Sequence, residues 1–160
     1  MRQTRREFLV LACGVVGAAA APTTGAQLPP NIEGLRKAAL QEAIRKVTGG
    51  APLRTGRVKL DVPPLVDNGN VVPVSVAVAS PMTANDHVRA IHVFTEKNPQ
   101  PNVIGVHFGP RAGRAQIATR ARIADTGTVI AIAQMSDGSF WSDRANVVVT
   151  LSACLEDGLI

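Results

Sequence analysis

From Arg57 onward, apolar residues recur at alternate positions in short runs, and turn-forming residues, mostly proline and glycine, separate one run from the next. A period of two puts successive side chains on opposite faces of an extended chain, so this pattern commits most of the molecule to β structure. The runs occupy residues 57–62, 71–79, 88–95, 103–108, 115–124, 128–135 and 139–151, with breaks at Pro63-Pro64, Pro81, Pro99, Pro110, Gly127 and Gly138. Seven short strands divided by turn signals predict a mostly β domain over residues 51–151, an immunoglobulin-like antiparallel β-sandwich.

Ahead of it, residues 27–50 form a helical lead-in. Asn31 is a suitable N-cap for a helix running through Val47, and Gly49-Gly50 stops it. Leu35, Ala39, Ala43 and Val47 recur every four residues, and Leu40 and Ile44 widen the stripe, so one apolar face should rest on the sandwich. Val72, Val74, Val76 and Val78 alternate, yet Ala77 and Ala79 between them are also apolar, which suits a strand covered on both sides. The run 116–123 is one-sided, and it sends Arg120 and Arg122 out together, either as a solvated edge or as a grip on an anionic ligand or acidic partner.

The first 26 residues are not part of this domain. Thr4-Arg5-Arg6-Glu7-Phe8-Leu9 is a twin-arginine motif, followed by an uncharged stretch from Val10 to Ala21. Those twelve residues are too few for a stable transmembrane helix, which needs about 20. Thr24 and Ala26 fit the small-residue positions before a cut at Gln27, and Pro22 disfavours cleavage after Ala21. The expectation is a periplasmic protein exported folded by the twin-arginine pathway, with no membrane attachment after cleavage. Two alternatives stand beside it: a lipoprotein modified at Cys13, and an uncleaved anchor.

Cleavage after Ala26 would leave 134 residues, enough for one domain with one core, and would lower the net charge from +5 to +3. So small an excess, with only Phe94, Phe108, Phe140 and Trp141 as mature aromatics, does not describe a nucleic-acid surface. The catalytic constellations are also missing. His87, His92 and His107 have no metal-ligand spacing, Gly109 to Gly113 do not form a nucleotide loop, and no serine sits in a nucleophile elbow. Neither metal nor cofactor is expected. What remains is Cys154, the one thiol left once Cys13 departs with the signal. An unpaired cysteine in an exported protein is reactive, bonded to another molecule, or a passenger, and its place near a terminus favours exposure.

Extended segments then converge on a family. Residues 60–69 (LDVPPLVDNG), 86–92 (DHVRAIH), 96–101 (EKNPQP) and 135–141 (MSDGSFW) are similar to SoxY, the carrier subunit of the bacterial Sox thiosulfate-oxidising system, and the resemblance extends from the signal to Cys154. It implies an immunoglobulin-like fold, a heterodimer with a SoxZ-like subunit, transient contact with other Sox enzymes, and thiosulfate or another sulfur species as covalent cargo. It implies no enzymatic activity of the chain alone; beside the carrier reading stand a SoxY-derived binding module and a redox-active thiol protein, neither of which delivers substrate to the Sox enzymes.

In this family the cysteine after the last strand carries sulfur intermediates, within a Gly-Gly-Cys-Gly-Gly tail. Val147 to Leu151 match that strand and Cys154 matches that cysteine. A thiolate suits the task because sulfur–sulfur bonds exchange reversibly. The tail of residues 152–160 departs from the pattern: Ser152, Ala153, Leu155 and Glu156 replace the four glycines, and six residues follow the thiol. Loss of glycine stiffens and widens the arm. Glu156 and Asp157 also repel an anionic cargo, but two charges about 7 Å apart in water interact by only about 0.6 kcal/mol, so bulk outweighs charge.

Overall fold

The computed structural model describes residues 31–151, which contain one helix and nine strands. The expected signal (residues 1–26), residues 27–30 and the tail with Cys154 lie outside the described residues. Helix α1 spans Ile32–Thr48. Asn31 caps it as the sequence predicts, its side-chain oxygen accepting the Gly34 amide at 2.8 Å. The helix ends where Gly49 turns to φ 62°, a left-handed conformation that glycine adopts without a side-chain clash, and the Gly49 amide donates to the Arg45 carbonyl at 2.8 Å.

The strands are β1 (Leu53–Arg54), β2 (Val58–Asp61), β3 (Leu65–Asn68), β4 (Val72–Val78), β5 (Val88–Thr95), β6 (Asn102–His107), β7 (Ala115–Ala121), β8 (Gly127–Met135) and β9 (Phe140–Leu151). The larger sheet has the order β1-β9-β8-β5-β6, with β3 also paired to β9, and the smaller one has the order β2-β4-β7. The predicted immunoglobulin-like sandwich is therefore present. It also carries two strands that the periodicity does not reveal. β1 and β3 pair with β9 in parallel, Leu53 opposite Phe140 and Leu65 opposite Val148, so the sheet is not wholly antiparallel. Two residues cannot show a period, and β3 follows Pro63-Pro64 with Leu65 exposed and Val66 only half-buried.

Valine and alanine dominate the core because the two sheets meet through the alternate positions of each strand. Val58, Val72, Val74, Val76 and Val78 of the smaller sheet face Ile91, Val93, Val129, Ala131, Ala133 and Val147 of the larger one. In β4 the intervening Pro73 is exposed and Ser75 and Ala77 are half-buried, which corrects the expectation of cover on both sides. A strand that is covered on both sides is β8. Its Val129, Ala131 and Ala133 belong to the inter-sheet core, while Ile130 and Ile132 join Phe94, Phe140 and Leu40 beneath the helix.

Helix α1 thus closes the outer face of the larger sheet, but its contact stripe starts later than the four-residue spacing suggests. Leu40 is buried, with Ala43, Ile44 and Val47 packed beside it, whereas Leu35 is 60% exposed and Ala39 is exposed too. The first turn reaches the body by charge instead, through an ion pair of 2.9 Å between Glu33 and Lys97 that holds the Glu33 carboxyl below its ordinary range. Leu40→Ala is expected to destabilise the protein by about 2–4 kcal/mol, and Leu35→Ala by less than about 0.5 kcal/mol. Equilibrium urea unfolding of the two variants checks this, and equal losses would contradict the late stripe.

Candidate functional site

The carrier thiol expected from the sequence, Cys154, lies outside the described residues, so what the structure describes is the end of β9 and the contacts that hold it. β9 is fixed on both edges up to that point. On one edge the Val148 amide donates to the Pro64 carbonyl at 2.9 Å, the Thr150 hydroxyl to the Asp67 carbonyl at 3.2 Å, and the Gly69 amide to the Leu151 carbonyl at 3.1 Å. On the other edge the Thr126 hydroxyl accepts the Val149 amide at 3.0 Å and donates to the Val149 carbonyl at 3.3 Å, continuing the ladder beyond its last β8 partner, Gly127 opposite Val147. These bonds leave the final turn of sequence before the tail little freedom.

Three exposed apolar side chains lie at or beside the end of β9: Leu65 and its cross-strand neighbour Val148, and Leu151 at the strand end. Beside it runs the chain segment after β7. The Ile123 amide donates to the Gly69 carbonyl at 2.8 Å, tying that segment to the same glycine that holds Leu151. Asn98, in the β5–β6 loop, clamps it from the other side: its amide nitrogen donates to the Arg122 carbonyl and its oxygen accepts the Ala124 amide, both at 2.8 Å. Nothing in the composition announces this clamp. The only signal was Asn98 preceding a proline in a loop, a placement shared by many asparagines.

Arg120 and Arg122 are both exposed, as the alternation predicts. Arg122, one residue past the end of β7, lines a cleft together with Asn98, Gln100 and Asn102.

The histidines divide. His87 holds the 82–87 turn, its ring nitrogen Nδ1 3.1 Å from the Thr83 carbonyl. His92 and His107 come together on the outer face of the larger sheet, with ring centroids 6.0 Å apart and edge to face, and His92 also meets Phe94 at 6.3 Å as the shared face predicts. No group of three or more metal-ligating side chains occurs among the described residues. The Nδ1 atom of His92 is buried without a hydrogen-bond partner, and burial, reinforced by the charge of His107, lowers its pKa below the ordinary imidazole value.

At the opposite end of β9, Trp141 is flanked by two guanidinium groups, Arg57 at 5.1 Å and Arg54 at 5.9 Å from the ring centroid, and its indole donates to the Ser139 hydroxyl at 3.1 Å. That cluster secures β1 and the approach to β2 against β9. Cys154 and its neighbours Ser152, Ala153, Leu155 and Glu156 fall outside the described residues, so the geometry concerns what presents them.

The architecture defines an immunoglobulin-like sandwich whose last strand is pinned on both edges as far as Leu151. The profile of the family described as sulfur oxidation protein SoxY matches residues 44–154, and the chain belongs to that family. Among solved structures it is similar to the sulfur carrier protein SoxY from Chlorobium limicola f thiosulfatophilum, with 27% identity, a TM-score of 0.60, and coverage of 71% of this chain and 98% of that one. It shares its fold with superoxide reductase (neelaredoxin) from Ignicoccus hospitalis, at 18% identity and a TM-score of 0.53 over 61% of this chain and 94% of that one. A putative superoxide reductase from Thermotoga maritima is alike at 21% identity, with a TM-score of 0.51 and 61% and 93% of the two chains covered. Among curated proteins no significant match was found.

The His92 environment gives a measurable pH effect. With its folded pKa below the unfolded value, the folded state binds fewer protons than the unfolded one between those two values. The neutral-imidazole contribution to stability is complete above about pH 6.5 and is lost as pH falls through the folded pKa. An NMR titration of the imidazole signals should place His92 below 6.5, and His92→Phe should flatten the stability profile between pH 7.5 and 5. A His92 that titrates at or above 6.5 would contradict the burial argument.

Proposed function

We propose that this chain is a periplasmic sulfur carrier that holds sulfur intermediates covalently on Cys154 during thiosulfate oxidation, acting as a heterodimer with a SoxZ-like subunit. The observation that carries the reading is the family match, which ends on residue 154, the cysteine itself. The likeness to a SoxY sulfur carrier supports it, and so does the pinning of β9, which makes the sandwich a rigid handle. Thr4 to Leu9 support twin-arginine export, and with it an environment in which a thiol meets oxidised sulfur.

The chemistry needs only the thiolate and its partners. Joining the Cys154 sulfur to the outer sulfur of thiosulfate forms one S–S bond and releases two electrons, which an oxidising partner enzyme accepts. Hydrolysis of the far sulfonate then frees sulfate and leaves a shorter sulfur chain on the carrier. The protein itself contributes attachment and presentation, and the chemical steps belong to its partners.

One feature favours a second reading, a binding module that keeps the sandwich and its subunit interface without delivering cargo to the usual enzymes. Ser152, Ala153, Leu155 and Glu156 widen the arm where it must enter a partner's channel. Intact-mass measurement of protein from the periplasm of thiosulfate-grown cells separates the two. The carrier reading expects sulfur adducts that disappear on reduction and are absent from a folded Cys154→Ser variant. It also expects faster loading when the four positions are restored to glycine and residues 157–160 are removed. Wild-type protein that never carries an adduct, beside a glycine-restored form that does, would establish the binding-module reading instead.

A further inference from the structure

The register of β5 against β6 sets two histidines side by side. His92 lies opposite Gly105 and His107 lies opposite Ala90, so the two imidazoles form a diagonal pair on the outer face of the larger sheet. His92 is half-buried and His107 is exposed. The His92 ring turns its Nδ1–Cε1 edge to Gly105, where a Cβ would stand 3.4 Å from Nδ1 and 3.7 Å from Cε1. Nδ1 is buried there without a hydrogen-bond partner, whereas Nε2 is not enclosed in this way. Spacing along the chain does not announce the pair, because the two residues meet only through the strand register.

The geometry and the protonation of the pair both suit a metal ion. A metal about 2.1 Å from one nitrogen of each ring puts the ring centroids about 5.2 Å apart at a tetrahedral angle and about 6.4 Å apart when the two ligands are opposed. The observed separation of 6.0 Å lies between these limits. Burial, reinforced by the charge of His107, lowers the His92 pKa, so at neutral pH a metal ion meets a lone pair with no proton to displace. Imidazole nitrogens favour zinc, copper and nickel over magnesium and calcium.

We infer that His92 and His107 together bind one divalent transition-metal ion of the copper and zinc class, with water completing its coordination. Two protein ligands are fewer than the three or four of a catalytic or structural zinc site, so the ion is exchangeable and the fold does not depend on it. A ligating histidine usually donates its second ring nitrogen to an acceptor, and Nδ1 of His92 has none, which makes the expected affinity micromolar rather than nanomolar. The site also gives a use to a half-buried imidazole that otherwise leaves a polar atom unsatisfied. It goes beyond the carrier reading and is independent of it, because both ligands stand on described strands and neither takes part in the chemistry proposed for Cys154.

The experiment uses the untagged mature chain carrying Cys154→Ser, so that the thiol cannot capture the metal. Zn²⁺ is the probe, followed by calorimetry and by NMR of the imidazole nitrogens, with Mg²⁺ as the hard-cation control. One ion per chain is expected, with large shifts of one ring nitrogen in each of His92 and His107. His87, whose Nδ1 already lies 3.1 Å from the Thr83 carbonyl, should not respond, and His87→Gln should leave the affinity unchanged. His107→Gln, a change at an exposed position, should weaken binding at least about tenfold, and His92→Gln by as much or more. Cu²⁺ should bind more tightly than Zn²⁺.

An affinity indifferent to His107→Gln, shifts confined to one ring, or an equal response to Mg²⁺ would overturn the site. So would the lack of saturable binding below about 1 mM Zn²⁺. Should His92→Gln fail to fold, His107→Gln and the nitrogen shifts of the parent chain still decide the matter.

Discussion

The structure depends on the burial of β8 on both faces. Val129, Ala131 and Ala133 seal the space between the sheets, while Ile130 and Ile132 support the helix, so one nine-residue strand belongs to both apolar clusters. A fully buried valine, isoleucine or methionine contributes about 1.5–3 kcal/mol relative to exposure, so β8, like its neighbour β5, carries a large share of the core. β9 inherits its position from this strand, through pairs running from Gly127 opposite Val147 to Gln134 opposite Phe140. The direction in which the chain leaves the sandwich is therefore set by the centre of the core.

That arrangement separates stability from chemistry. The two apolar clusters are built from residues between Leu40 and Val149, and the carrier chemistry proposed for Cys154 falls outside the described residues. A carrier benefits from such a division, since partners must grip the arm while the body stays unchanged. The pins at Gly69 and Thr126 mark the boundary, because they fix β9 as far as Leu151 and no further among the described residues.

Much of this was legible in the sequence because strands announce themselves by period. All seven apolar runs became strands with ends shifted by a few residues at most, and the Asn31 cap and the Gly49 stop bound the helix within one residue of expectation. The phase of the helix stripe was not legible, since spacing treats Leu35 and Leu40 alike, and only the position of the sheet decides which is covered. β1 and β3 escaped for a different reason: they are short parallel additions whose pairing depends on where β9 lies. The site divides similarly. Cys154 stands out by its solitude and by family resemblance, whereas the Asn98 clamp exists only through contacts with residues more than twenty positions away.

The central claim is that a rigid sandwich presents a reactive thiol at its end. Labelling Cys154 of the folded, mature protein with a thiol reagent tests this most directly, with intact mass as the readout and tryptophan fluorescence confirming that the fold persists. The account predicts complete labelling at a rate close to that of the urea-unfolded chain. A thiol that reacts only after unfolding would contradict it, because a cysteine closed off in the native state can neither accept nor surrender a sulfur cargo.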